Sequence, residues 1–180
     1  MKGLIFSAAF FVLSWQSPQQ FLKAPIRRLP PRSFHQLPTG VVESLEARKC
    51  LVPQYPYNKK PHNVIRGSFT GARRREWAVL CSRRGISSIL IFRANPAKLV
   101  DEIAAAKDDH YLQGDAQGTL YYSRVISAVG KAYILEHYKA YGGPKPPPIT
   151  RHGIDDAFAE KASVVRYLYR GKWLELQGAD

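Results

Sequence analysis

The alternation of apolar and polar positions is clearest between residues 63 and 92. The stretches 63–69, 76–82 (EWAVLCS) and 86–92 (ISSILIF) each read as a β-strand, and Arg83-Arg84-Gly85 joins the last two as a hairpin. Trp77, Val79 and Cys81 fall on one side of the middle strand, and Ala78 and Leu80 on the other. Both sides are apolar, so these strands are expected to be central. A second hairpin is predicted at the C-terminal end, from 162–169 and 172–177 around Arg170-Gly171. Residues 119–128 read as a further strand.

Helical periods appear in other places. Val41, Val42 and Leu45 follow Thr39, a favourable N-cap, which predicts a short helix there. Asn95-Pro96 followed by Leu99, Val100, Ile103 and Ala104 predicts a second helix. Residues 131–141 fit a helix with Ile134, Leu135, Tyr138 and Tyr141 on one side, ended by Gly142. Their tyrosine content fits a strand as well. A helical turn is expected near 155–161. The resulting fold class is α+β: a mostly antiparallel sheet built from hairpins, with two or three helices packed on one face.

The N-terminal end has a different pattern. Lys2 precedes an apolar run from Leu4 to Leu13 broken only by Ser7, which is the layout of a secretory signal and too short for a membrane-spanning helix. Residues 1–17 are therefore expected to be a signal peptide with an ill-defined cut site. Residues 18–38, studded with Pro18, Pro25, Pro30, Pro31 and Pro38, are expected to form an arm or linker. Residues 39–180 are expected to be a single domain. A periplasmic or secreted location follows, with membrane contact only through an uncleaved signal.

Export changes the meaning of the two cysteines. In an oxidising compartment Cys50 and Cys81 are most simply a disulfide. Charge adds a further constraint. The formal net charge is +13, which suits an anionic envelope polymer or an acidic protein as partner, with no specific nucleic acid implied. Arg73, Arg74 and Arg75 form one cluster, and Arg83 and Arg84 form another. A seven-residue strand of about 23 Å separates them, so they are not expected to share a groove.

The segment Gly67-Ser68-Phe69-Thr70-Gly71-Ala72-Arg73-Arg74-Arg75-Glu76-Trp77-Ala78-Val79 resembles the FG-GAP type calcium-loop repeat. That pattern runs roughly G-D-F-D-G-D-G-x-x-D-L-A-V. The resemblance implies a strand–loop–strand turn. The calcium ligands are replaced by Ser68, Thr70 and Ala72, and three arginines sit in the loop, so bound Ca²⁺ is not expected. Cys50-Leu51-Val52-Pro53-Gln54, Trp77 to Cys81 and Gly171-Lys172-Trp173 resemble uncharacterised bacterial exported proteins. That likeness implies a common domain and carries no activity.

Catalytic motifs are absent: there is no P-loop, no G-x-S-x-G and no H-E-x-x-H. No cofactor or metal is expected. A non-catalytic binding or assembly module of the cell envelope is the leading expectation. The alternatives are a basic polyanion-binding protein and an envelope hydrolase using His152 with Asp155 or Asp156, two acids close enough in sequence to orient an imidazole.

Overall fold

The chain reaches its first strand, β1 (Arg28–Leu29), and passes through a 3₁₀ turn at Pro31–Ser33 into helix α1 (Thr39–Ala47). Strand β2 (Val52–Pro53) then pairs back onto β1. These coordinates are a computed structural model that describes residues 26–72 and 75–180. The expected signal peptide (1–17), the start of the arm (18–25) and Arg73 and Arg74 lie outside the described residues. The later part of the arm belongs to the domain, since Phe34 and Leu37 are core residues.

Next comes an antiparallel four-stranded meander of β3 (Val64–Gly67), β4 (Glu76–Arg83), β5 (Ile86–Ala94) and β6 (Ala97–Lys107). A small hairpin of β7 (Leu112–Gly114) and β8 (Leu120–Tyr122) follows. The second four-stranded sheet holds β9 (Arg124–Val129), β10 (Gly153–Phe158), β11 (Ala162–Tyr169) and β12 (Lys172–Gln177) in the order β12-β11-β10-β9. Helix α2 (Lys131–Tyr141) lies between β9 and β10 in sequence.

Side-chain parity stacks these elements in four layers. Trp77, Val79 and Cys81 of β4 pack with Phe34, Val41 and Leu45 beneath α1. Ala78 and Leu80 turn the other way and meet Ile126 of β9 and Ile154 of β10. On the far side of the second sheet, Val165, Tyr167 and Leu176 pack with Ile134 of α2. Both sheets are thus covered on both faces, as the doubly apolar pattern of β4 requires.

The interface between the sheets is not purely apolar. Arg124 is fully buried there, and all five of its N–H groups have acceptors. Nε and Nη2 reach the two Asp156 carboxylate oxygens at 2.8 and 2.9 Å. Nη1 donates to the Ser87 carbonyl and hydroxyl, and Nη2 also to the Ala104 carbonyl. Asn63, held at a positive φ of 69°, plays a similar part. Its amide donates to the Pro53 and Arg124 carbonyls and accepts from the Ile126 N–H, which joins β2, β9 and the lead-in to β3.

The α+β expectation is overturned. The described residues are β-rich, 45% strand and 18% helix, and form twelve strands. The helices lie on opposite outer faces rather than on one. Two segments account for the change. The helix predicted after Asn95-Pro96 is β6, and the helical turn predicted near 155–161 is largely β10. β6 carries two bulges against β5, with Val100 and a residue after Ile103 as the extra positions. Each bulge breaks the two-residue alternation. Leu99 therefore faces the α1 side, while Val100, Ile103 and Ala104 face the second sheet. The spacing mimics a helix. Residues 131–141 do form a helix, but only Ile134 is buried in it, and Leu135 and Tyr141 are exposed.

Candidate functional site: a basic cradle beside the disulfide

Cys50 and Cys81 form a disulfide with a Cα–Cα distance of 5.4 Å. Both are buried in the core beneath α1. The bond ties the exit of α1 to the end of β4. At the first of these places Lys49 adopts φ 56°, and its N–H and that of Cys50 donate to the Glu46 and Leu45 carbonyls. At the second, Arg84 and Gly85 take φ of 51° and 78°. Paired positive φ values are what a two-residue hairpin between Arg83 and Ile86 needs. An antiparallel bridge between Leu51 and Ser82 reinforces the link.

Two dibasic turns are thereby brought together. Arg48, Lys49, Arg83 and Arg84 line an open cavity of about 410 Å³ with Ile86. Arg48 is braced by the Ser44 carbonyl and hydroxyl at 2.8 and 2.7 Å. Arg83 forms an ion pair with Glu102, whose carboxylate also accepts from Ser88 Oγ at 2.6 Å. Lys49 and Arg84 are exposed and make no side-chain hydrogen bond among the described residues. Lys107 stands opposite Ile86 in the β5–β6 register. Four cations around one concavity, with a single carboxylate to offset them, suit a ligand bearing several negative charges.

The sequence reading named Arg83 and Arg84 but not Arg48 and Lys49. Their proximity follows from the disulfide itself, because Arg48-Lys49 directly precedes one cysteine and Arg83-Arg84 lies just past the other. Arg75 sits at the opposite end of β4, as the strand length predicts. It lines a separate shallow cavity with Arg66, Gly67, Ser68 and His152.

His152 does not meet either acid proposed for it. It is exposed, and its Nδ1 accepts the Ser68 N–H at 3.1 Å. Asp155 and Asp156 are successive residues of β10, so their side chains leave opposite faces of the sheet. Asp156 is held by Arg124 between the sheets. Asp155 is buried on the α2 side, and that burial raises its pKa. The three residues form no catalytic constellation.

Glu76, the acid retained from the FG-GAP-like pattern, turns into its own loop. Its carboxylate accepts the Phe69 and Thr70 N–H groups at 2.9 and 2.7 Å, and the Thr70 hydroxyl. Gly67 has no room for a side chain there, since a Cβ would lie 2.6 Å from the Phe69 ring. Among the described residues no group of three or more His, Cys, Asp or Glu side chains is placed to hold a metal ion. No family model matches this chain, and neither a curated protein nor a solved structure matches it significantly.

Proposed function

We propose that this chain is a non-catalytic binding module of the cell envelope that holds a sulfate- or phosphate-bearing polymer in the cradle of Arg48, Lys49, Arg83 and Arg84. The observation that carries this reading is the convergence of two dibasic turns on one cavity. The disulfide supports an extracytoplasmic site of action, because such bonds persist in oxidising compartments. Among the described residues no helix is long and apolar enough to cross a membrane. The net charge of +13 adds long-range attraction for the same partner.

The test compares two charge-matched double variants on immobilised heparin. Lys49→Gln with Arg84→Gln removes two cations from the cradle. Arg170→Gln with Lys172→Gln removes two from the β11–β12 turn. Binding through the cradle predicts that the first pair elutes at clearly lower salt than the second, since each lost contact reduces counterion release. Equal elution of the two pairs would show diffuse charge attraction and defeat the proposal.

A further inference from the structure

A second concavity lies away from the cradle, and its chemistry is different. The turn-rich connection 54–63 packs against the β7–β8 hairpin and encloses a cavity of about 290 Å³. Tyr57, Tyr121 and Tyr122 line it, with Arg27, Asp115 and Thr119 among its polar groups. Tyr57 is 57% exposed, the largest value among the exposed large hydrophobic residues. Its ring meets that of Tyr121 edge-on at 5.1 Å and that of Tyr55 at 5.4 Å.

Two of the rings, Tyr55 and Tyr121, are anchored through one carboxylate. The Tyr55 hydroxyl donates to Glu160 at 2.6 Å, and the Tyr121 hydroxyl reaches the other oxygen of that carboxylate at 3.4 Å. Gln54 spends its amide inside the loop: Nε2 donates to the Val52, Pro53 and His62 carbonyls, and Oε1 accepts the His62 N–H. Across the cavity, Asp115 Oδ1 accepts the Gln117 and Thr119 N–H groups. Its Oδ2 makes no hydrogen bond among the described residues, nor does the Arg27 guanidinium.

We infer that this cavity is a saccharide-binding site, taking one ring of a neutral glycan against Tyr57 and Tyr121. Several features select that ligand class. Exposed aromatic faces on a stiff loop suit the C–H face of a sugar ring and lose little entropy on binding. Arg27 supplies donors and Asp115 an acceptor, and hydroxyl groups match both at once. The opposite charges of Arg27 and Asp115 offset each other, which disfavours a polyanion. Arg27 places a fixed positive charge on the cavity wall, which disfavours a quaternary ammonium beside the aromatic rings. The volume lies at the low end of small-molecule pockets, in keeping with a single ring.

The experiment is titration calorimetry of the full chain with maltotetraose, cellotetraose and chitotetraose, and with tetramethylammonium as a cationic probe. Parent protein, Tyr57→Ala and Tyr57→Trp are compared. Thermal melting followed by circular dichroism serves as a check that each variant is folded. The expected result is measurable binding of at least one tetrasaccharide, weakened tenfold or more by Tyr57→Ala and kept by Tyr57→Trp. Three results would overturn the inference: no tetrasaccharide binds, Tyr57→Ala binds as the parent does, or tetramethylammonium binds more tightly than every tetrasaccharide.

Discussion

Arg124 and Asp156 face each other between the two sheets, joined by paired hydrogen bonds of 2.8 and 2.9 Å, with the guanidinium 4.6 Å over the Tyr111 ring. Removing one partner strands a buried charge. Asp156→Asn should lower unfolding free energy by about 3–5 kcal/mol in a denaturant titration. Arg124→Met combined with Asp156→Leu should lose less than the single change, because no charge is left unpaired. A double variant as unstable as Asp156→Asn would mean that the bonds to Ser87 and Ala104, rather than charge pairing, dominate at this position.

The disulfide spans 31 positions in sequence. Chain-entropy reasoning puts its stabilisation at about 3–4 kcal/mol. Cys50→Ala with Cys81→Ala should melt at lower temperature than the parent. Added reductant should lower the parent's melting point and leave that of the double variant unchanged. The variant should also elute from heparin at lower salt, because the turns at Lys49 and Arg84 lose their covalent link.

His62 makes the 54–63 loop sensitive to pH. Its Nε2 accepts the Tyr55 N–H at 2.8 Å, which requires that nitrogen to be unprotonated. Burial lowers its pKa from the ordinary 6.5, and Arg27 adds to the effect against an opposing bond to the Lys60 carbonyl. A depressed pKa means the unfolded chain binds the proton first. The contribution of His62 to stability is therefore complete above pH 6.5 and declines as pH falls through and below that value. Thermal melts should show this loss in the parent. His62→Gln should flatten it, and an unchanged slope would rule out His62 as its source.

Glu76 closes the β3–β4 loop through the amides of Phe69 and Thr70. Glu76→Gln keeps the volume but removes the negative charge that strengthens the bonds from the two amides. A loss of about 1–3 kcal/mol is expected. Limited proteolysis should then cut within residues 67–75 sooner than in the parent. Equal cutting rates would show that the loop is held by other contacts.

Much of the strand content was legible in the sequence. The runs around 76–82, 86–92, 162–169 and 172–177 alternate cleanly, and hairpin turns bound them. β6 was not legible, because its bulges generate a spacing that a helix produces equally well. β10 was hidden by the charges of Asp155 and Asp156, which sit in a strand only because Arg124 pairs the second from β9. That pairing keeps Asp156 from His152, and the alternation of β10 sends Asp155 to the α2 side. Half of the cradle was visible as Arg83-Arg84. The other half needed the cysteine pairing carried one step further, to the residues beside each sulfur. The tyrosine cavity joins residues more than sixty positions apart, and no local pattern announces it.

The sulfur–sulfur bond also gives the cradle a dependence on compartment. In a reducing cytosol the two basic turns are held near each other only by the Leu51–Ser82 bridge and surrounding packing. Oxidation fixes their spacing before any ligand arrives. On the proposed reading, a reduced copy would therefore grip a polyanion less firmly than the oxidised protein.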